Sequence, residues 1–492
     1  MPARELPAAK IDRLLAARDA NAALQVADEL LAKLPSSPVG HLGRTRALLA
    51  IGRPLEAHRA LDRALAVAPN DPVANTILAN IDAQAGRDTE AIERLRPFAL
   101  ASSAQANEAL LVLLDILYHS NRRDEWRALL ERPGPWRQDP RALIHRARLV
   151  AVDDASAGIE GLIALFRGNA PLPQRRLAGF EAVALLDRAG DYRRAFDLAT
   201  EIHTTMSEEF DLAVYARPVE EQLARATAEG NWVPRRAPTV QGVVLTCALP
   251  RSGTTLLEQM LDRHPSIGGI GEYAGIWTIY SELRKVGAWP RRPQEVSEEM
   301  CTALQKMYLD GAARFRRPGA SWILDKSLRT WKSLPEVAAV LPGAVCLSVE
   351  RDPRDLATSL FLSHFWHGQQ SWTQSLRAIQ RAIALHQQAT PVLLETLQIP
   401  NVRVIYEELV DDPSTHARRV LDLLGLELDP RVLSPEENTR AAMTQSVAQV
   451  RRSINRSSIG RWRNYAFAFD ESWEPLVALH ESRRAEARSA RT

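Results

Sequence analysis

The residues most suggestive of chemistry lie in one stretch, residues 243–265, with the sequence VVLTCALPRSGTTLLEQMLDRHP. Its apolar beginning predicts a buried strand that ends at Pro250, and apolar residues at helical spacing follow from Leu256. Small and polar residues fill the turn between them, namely Arg251, Ser252, Gly253, Thr254 and Thr255. A strand, a small-residue loop and a helix together form a phosphate-binding cradle, because the first free N–H groups of the helix point at the anion.

This loop differs from the loop of ATP-hydrolysing enzymes. That loop requires a Gly-Lys-[Ser/Thr] sequence, in which the lysine contacts the terminal phosphates and the hydroxyl binds magnesium. Here Arg251 precedes Gly253 and no Gly-Lys pair is present. Backbone N–H groups, side-chain hydroxyls and one guanidinium favour a 5′-phosphosulfate over a triphosphate. The alternative is an ordinary turn between a strand and a helix of an α/β domain.

The stretch PRSGTTLLEQMLDRHP resembles the 5′-phosphosulfate loop of sulfotransferases that use 3′-phosphoadenosine 5′-phosphosulfate (PAPS). It is most similar to the tyrosylprotein sulfotransferases and their bacterial relatives, many of which carry tetratricopeptide repeats before the catalytic domain. The resemblance extends from about Val243 to Trp462. It implies PAPS as co-substrate, with Arg251, Ser252, Gly253, Thr254 and Thr255 binding its 5′ end.

Two residues after the loop are candidates for catalysis. Glu272 lies among glycines, and a partly desolvated carboxylate can act as the general base that takes a hydroxyl proton. Lys326 follows an apolar strand, where a cation would stabilise the leaving group. The resemblance assigns them these roles. His264 is a rival base and Lys332 a weaker candidate lysine, while Glu272 could also be a surface residue at a turn.

A second group of residues is expected to hold the 3′-phosphate and the nucleotide. Arg351 ends a predicted strand and Ser359 follows eight residues later, and the resemblance assigns this pair to the 3′-phosphate. A further family arginine corresponds here to Ser363, and whether Arg354 replaces it stays open. Tyr406 corresponds to a tyrosine that contacts the nucleotide, although the end of a core strand would explain it almost as well.

The segment from Thr444 to Trp462 is rich in serine and arginine. Such a segment can close over a phosphorylated nucleotide. The resemblance places Ser446 near the transferring sulfuryl group and puts Arg461 where the family has a lysine that reaches the nucleotide. A flexible, phosphorylatable loop is the alternative.

Composition limits the remaining possibilities. The chain has 492 residues, 46% of them hydrophobic, and 62 basic residues nearly balance 60 acidic ones. This predicts a folded protein of two or three domains without a nucleic-acid partner. No apolar run reaches the length of a membrane span and the N-terminus lacks a secretory signal. Three widely separated cysteines favour buried thiols over disulfides or a metal site, so we expect a cytoplasmic, metal-free protein.

The first half of the chain contains a repeat. Pro35 recurs as Pro69, and the pair Gly52-Arg53 recurs as Gly86-Arg87, in each case 34 residues later. This is the period of the tetratricopeptide repeat, a pair of helices. The pattern predicts an α-solenoid that is regular at first and degenerate later. Its concave surface could be a groove for an acceptor peptide, or the array could be a structural or dimerising appendage.

Together these patterns predict an N-terminal TPR-like α-solenoid, residues 1–235, and a P-loop-like α/β sulfotransferase domain, residues 236–492, whose four expected strands form a parallel sheet. The expected reaction is transfer of a sulfuryl group from PAPS to a hydroxyl, with a peptide tyrosine as the first candidate acceptor. A carbohydrate or small-molecule hydroxyl is the alternative acceptor. A TPR scaffold with a degenerate nucleotide site and a P-loop kinase are the alternative functions.

Overall fold

The computed structural model describes residues 5–51, 53–84, 87–101, 105–205, 210–230, 232–287, 289–365, 370–438 and 453–489. The chain forms two compact units, Met1–Ala142 and Leu143–Thr492. None of the helices in the described ranges combines the length and apolar character that a membrane span needs.

The first unit is built from antiparallel helix pairs. Its helices are α1 Pro7–Ala16, α2 Ala20–Lys33, α3 Pro38–Ala50, α4 Pro54–Val67, α5 Pro72–Gln84, α6 Asp88–Ala99, α7 Ala106–His119 and α8 Arg123–Glu131. Ser37 caps α3 by accepting a hydrogen bond from the N–H of Gly40. Ala23, Ala27 and Ala47 are fully buried, because small side chains let neighbouring helices approach closely. Gly52 and Gly86 of the predicted repeat lie outside the described residues.

Further helices continue the repeat pattern into the second unit. They are α9 Pro140–Asp153, which begins before the division, α10 Ala155–Arg167, α11 Leu172–Arg188, α12 Tyr192–Thr205 and α13 Leu212–Glu229. The predicted α-solenoid followed by an α/β domain is therefore confirmed. The division at Ala142 shows that the last helix pairs belong to the same compact unit as the sheet. The predicted domain boundary at 235/236 stays a prediction.

The sheet of the second unit is entirely parallel and has five strands in the order β2-β3-β1-β4-β5. The strands are β1 Val243–Ala248, β2 Ile267–Gly269, β3 Trp322–Asp325, β4 Val345–Glu350 and β5 Asn401–Ile405. The sequence predicted four strands and missed β2, because three residues that include two glycines show no strand pattern. The carboxyl ends of parallel strands lie at one edge, where ligands bind in such folds.

Helices surround this sheet. They are α14 Thr254–Leu261, α15 Gly275–Lys285, α16 Glu298–Ala313, α17 Leu334–Val340, α18 Pro353–Phe361, α19 Leu376–Thr396, α20 Tyr406–Asp411, α21 Pro413–Leu423 and α22 Glu474–Ser489. The pairing of β5 with β4 ends at Ile405 and α20 begins at Tyr406, so Tyr406 lies at the start of a helix directly after the strand. The C-terminal helix begins at Glu474 after a 3-10 turn over Glu471–Trp473.

Candidate active site

The predicted phosphate loop connects β1 to α14. Gly253 immediately precedes the helix with a left-handed φ of 98° and has no side chain with which to cap the first N–H groups of the helix. Arg251 also has a positive φ, 70°, which is costly for a residue with a side chain. Ser252, Thr254 and Thr255 are buried at this helix start. Strained backbone of this kind is concentrated at ligand sites, and here it frames an N-terminus that can accept an anion.

Tyr406 explains why residue 253 must be glycine. A Cβ atom at this position would lie 2.2 Å from Cδ2 of the Tyr406 ring. The ring therefore packs directly on the backbone of the loop. Its other contact is with the guanidinium of Arg351, whose central carbon is 4.8 Å from the ring centroid. Tyr406 thus links the loop to the carboxyl end of β4.

The structure brings together Arg251, Arg351 and Ser359, which are far apart in sequence. Nε of Arg251 donates a hydrogen bond of 2.9 Å to Oγ of Ser359. Nη1 of Arg351 donates one of 2.9 Å to the carbonyl oxygen of Arg251. Nε of Arg351 is buried and has no hydrogen-bond partner within the described ranges. Two guanidiniums and a hydroxyl therefore converge beside the loop, as expected for a phosphate site.

The electrostatics of this cluster favour an anion. Burial, together with the nearby charges of Arg351 and Arg461, lowers the pKa of Arg251 to about 10. A buried guanidinium next to two other cations is unfavourable unless a negative charge compensates it. A phosphorylated ligand would supply that charge. The three arginines thus make the surroundings of the loop positive, which suits an anion.

Neither Ser363 nor Arg354 adds a cation at this point. Ser363 donates its hydroxyl hydrogen bond to the carbonyl oxygen of Ser359, one turn earlier in the chain. The Arg354 guanidinium lies 3.6 Å from the centroid of the Trp462 ring and pairs with Asp352 at 3.1 Å. In this structure Arg354 therefore contacts Trp462 and Asp352, and its role at the 3′-phosphate stays a prediction. Ser446 lies outside the described residues.

Glu272 and Lys326 form an ion pair at the sheet edge. Nζ of Lys326 donates to Oε1 of Glu272 at 2.9 Å, with the lysine side chain 2% exposed and the glutamate side chain 52% exposed. The backbone N–H of Lys326 also donates to the carbonyl of Gly271, so the ends of β2 and β3 hold the pair together. A buried cation therefore meets an accessible carboxylate, which suits a leaving-group cation beside a base.

The rival base has a structural role instead. Nδ1 of His264 accepts a hydrogen bond from the N–H of Ser266 at 3.1 Å, which leaves Nε2 to donate to the carbonyl of Glu427. Both ring nitrogens of His264 are hydrogen-bonded to the backbone, so neither is available to take a proton from an acceptor hydroxyl. Lys332 lies against the ring of Tyr215, with Nζ 3.1 Å from its centroid. Burial and the charge of Arg329 lower the Lys332 pKa to about 7.

No motif in the sequence indicates that the carboxyl group next to Lys326 is buried. Burial raises the pKa of Asp325 to about 7, although Tyr308 donates to Oδ2 at 2.8 Å and the N–H of Ser327 donates to Oδ1 at 2.8 Å. Asp325 thereby fixes the turn that presents Lys326. Tyr308 lies in α16 and has no motif around it, so only the three-dimensional contact reveals the pair.

Comparison with known proteins assigns the two regions to families. Residues 244–430 match the model of the sulfotransferase family. The chain carries a sulfotransferase domain. Residues 14–81 match the tetratricopeptide repeat, upstream of this domain. The sulfotransferase match includes the loop, Glu272, Lys326, Arg351 and Ser359, but ends before Arg461.

Several curated proteins are similar to the chain. An uncharacterized protein of Aquifex aeolicus is 25% identical over 346 residues, which are 66% of this chain and 45% of that protein. Protein-tyrosine sulfotransferase 2 of Gallus gallus is 24% identical, covering 50% of this chain and 69% of its own. Protein-tyrosine sulfotransferase 1 of Danio rerio is 26% identical, covering 44% and 63%. The chain thus spans about half the length of the Aquifex protein.

Solved structures are similar at a lower level. The sulfotransferase domain of the Synechococcus PCC 7002 olefin synthase has a TM-score of 0.33 and 17% identity, covering 48% of this chain and 98% of that one. The sulfotransferase domain from the curacin biosynthetic pathway has a TM-score of 0.34 and 15% identity, covering 49% and 98%.

Proposed function

We propose that the protein transfers the sulfuryl group of PAPS to an acceptor hydroxyl, with a peptide tyrosine as the first candidate. The observation that carries this proposal is the convergence of Arg251, Arg351 and Ser359 beside a helix start that lacks the lysine of an ATP site. A bisphosphorylated nucleotide matches the excess of positive charge there. Ser252, Thr254 and Thr255 would bind the 5′ end, and Tyr406 would contact the nucleotide.

In the proposed reaction the acceptor oxygen attacks sulfur in line. Glu272 takes the hydroxyl proton as the new oxygen–sulfur bond forms. The bond between sulfur and the bridging oxygen breaks, and its electron pair stays on adenosine 3′,5′-bisphosphate. Lys326 offsets the charge that develops on that bridging oxygen, and the helix N-terminus and Arg251 offset charge on the sulfuryl oxygens. Ser446 is a further candidate that the resemblance places near this group.

The chain that follows Lys326 carries cations in contact with aromatic rings, and we propose that this region faces the acceptor. The Arg329 guanidinium, three residues after Lys326, lies 4.0 Å from the ring centroid of Trp277 in α15. Neither Arg329 nor Lys332 forms an ion pair with a carboxylate within the described ranges. These features are compatible with a phenolic acceptor near negative charge, and they support a peptide tyrosine over a neutral sugar. The same proposal includes the binding of such a peptide by the repeat helices.

A donor test separates the candidate functions. The full-length protein is incubated with radiolabelled PAPS or ATP and a panel of tyrosine peptides, sugars and phenols. We expect PAPS to bind and label to reach an acceptor. Binding of ATP without PAPS would overturn the proposal in favour of a kinase, and tight PAPS binding without transfer to any acceptor would favour a scaffold.

A matched pair of variants tests the catalytic assignment. Glu272→Gln should lower turnover by roughly 100- to 10,000-fold, the usual contribution of a general base, while leaving affinity for adenosine 3′,5′-bisphosphate unchanged. Glu282→Gln removes a glutamate that pairs with Lys285 on the exposed part of α15, and should leave turnover unchanged. Equal turnover in the two variants would remove Glu272 from the mechanism.

A further inference from the structure

Asp187 is an unusual residue for its position. It lies in the last turn of α11, Leu172–Arg188, one of the helices that continue the repeat pattern. The helix dipole disfavours a negative charge at this end. The Asp187 side chain is only 20% exposed. A carboxylate at such a place therefore needs partners outside its own helix.

Both carboxylate oxygens of Asp187 have such partners, and both partners come from the C-terminal segment 458–465. Nη2 of Arg461 donates to Oδ2 at 2.6 Å. The hydroxyl of Tyr465 donates to Oδ1 at 2.6 Å. A charge-assisted bond on each oxygen fixes the carboxylate, and the carboxylate in turn fixes the Arg461 guanidinium.

The segment 458–465 is also tied to the anion cluster. Asp355 of α18 accepts hydrogen bonds from the N–H of Gly460 at 2.6 Å and from the N–H of Trp462 at 2.8 Å. Nη2 of Arg351 donates to the carbonyl of Ser458. These contacts flank Arg461 on both sides in the chain. Its charge is close enough to Arg251 to lower the pKa of that residue.

The repeat helices also pack directly on the helix that carries Ser359. The ring of His203 in α12 is hydrogen-bonded through Nε2 to the carbonyl of Phe361 at 2.9 Å. The rings of Phe196 and Phe361 have centroids 5.0 Å apart. Because α11 and α12 are packed against each other as a pair, Asp187 has a fixed position relative to α18. The geometry of the anion site therefore depends on a residue of the helical region.

We propose that Asp187 is a positioning residue that holds Arg461 as the third cation of the 3′-phosphate site, so that α11 completes this site. The inference rests on the proposed function. Neither Ser363 nor Arg354 places a charge beside Ser359, whereas the charge of Arg461 acts on Arg251. Arg461 uses only Nη2 toward Asp187, and within the described ranges its other N–H groups make no hydrogen bond, so they can reach a phosphate.

The test compares two nucleotides that differ by the 3′-phosphate. Calorimetry on the full-length protein measures affinity for adenosine 3′,5′-bisphosphate and for 5′-AMP. Asp187→Asn keeps the shape of the side chain and removes its charge. We expect it to weaken binding of the bisphosphate about tenfold, as for loss of a partly buried charged contact, and to leave binding of 5′-AMP unchanged. Asp197→Asn, which removes an exposed α12 carboxylate that pairs with Arg193, is the matched control and should bind both nucleotides like the wild type.

A double-variant cycle distinguishes positioning from a general structural effect. Asp187→Asn combined with Arg461→Gln should bind the bisphosphate no more weakly than Arg461→Gln alone, since Asp187 acts through Arg461. The inference would be overturned if the double variant lost as much affinity as the product of the two single losses. It would also be overturned if a single variant lost affinity equally for both nucleotides, or kept its affinity for the bisphosphate. A wild-type protein that does not bind the bisphosphate would instead overturn the proposed function. If Asp187→Asn does not fold, the affinities of Arg461→Gln for the two nucleotides still show whether Arg461 acts on the 3′-phosphate.

Discussion

At the scale of single residues, Gly253 satisfies two independent requirements. Its φ of 98° is one that side-chain-bearing residues rarely adopt, and its missing Cβ leaves room for the Tyr406 ring. The first requirement aims the N–H groups of α14 at the anion site. The second seats the ring that contacts Arg351. One atom added here would therefore disturb both the loop and a cationic residue of the site.

Gly253→Ala should accordingly be more harmful than an alanine at a comparable glycine. Gly319→Ala is the control, since Gly319 has a φ of +84° and no atom within 4 Å of the added Cβ. The control should lose about 1 to 2 kcal/mol of unfolding free energy from backbone strain alone. Gly253→Ala should lose a further 1 to 3 kcal/mol, roughly the cost of overpacking, and weaken nucleotide binding. Chemical denaturation measures both losses, and equal losses would contradict the role of Tyr406.

Asp325 predicts a pH dependence of stability. Its folded pKa of about 7 lies above the ordinary value of 3.8, so the folded state binds the proton more tightly than the unfolded state. The contribution of Asp325 to the free energy of unfolding is fully present below pH 4. It is lost as the pH rises toward 7, by at most about 1.4 kcal/mol per pH unit. Denaturation between pH 4 and 7 should show this loss in the wild type relative to Asp325→Asn. A constant difference between the two proteins would refute it.

The residues foreseen from the sequence are those whose neighbours in the chain form a motif. Arg251, Glu272 and Lys326 follow strands or glycines in recognisable order, and the structure brings each to the sheet edge. Asp187 and Tyr308 could not be found this way, because each acts on a residue that is remote in sequence and lies on a helix without a motif. The short strand β2 was not predicted for a related reason, since its glycines have no side chains that could form an alternating pattern.

At the scale of elements, α22 holds the carboxyl end of β4 in place. Nη1 of Arg483 is 3.0 Å from each carboxylate oxygen of Glu350, and Nη2 donates to the carbonyl of Gln387 at 2.8 Å. Glu350 is buried and precedes Arg351 directly. The C-terminal helix therefore neutralises a carboxylate that lies next to the anion site. Without that helix, the buried carboxylate next to Arg351 would lose its main partner.

Two arginines of α22 allow this to be tested. Arg483→Met should cost about 3 to 5 kcal/mol of unfolding free energy, the usual effect of leaving a buried charge without its main partner. Arg488→Met is the control, since this half-exposed side chain shares Glu408 with Arg484 and should cost less than about 1 kcal/mol. Thermal and urea unfolding compare the variants. Similar losses would mean that α22 is held by its apolar contacts alone.

At the scale of the whole molecule, the repeat pattern and the compact units do not end at the same residue. The helical pattern continues to Glu229, whereas the second compact unit begins at Leu143. Contacts such as the bond from Gln222 to the carbonyl of Lys332 join the late helices to the sheet domain. The late helices therefore share the hydrophobic and polar contacts of the catalytic half.

Truncation distinguishes the two boundaries. A chain that starts at Asp139, and so keeps α9 whole, should unfold in one transition and bind adenosine 3′,5′-bisphosphate within about threefold of full length, a difference below 1 kcal/mol. A chain that starts at Arg236 loses Asp187 and the packing on α18, and should bind more weakly and unfold more easily. Calorimetry and thermal denaturation provide the comparison. Equal behaviour of the two chains would favour the boundary predicted at 235/236.

The position of β1 in the sheet has a consequence for biosynthesis. β1 is the first strand to leave the ribosome, yet its two neighbours, β3 and β4, are translated only later, and β2 cannot dock on β1 in the meantime. The apolar strand β1 therefore stays without both of its neighbours until residues 322–350 have been translated. Pairings of such long sequence separation form slowly, so the nascent catalytic half is a natural client for a chaperone.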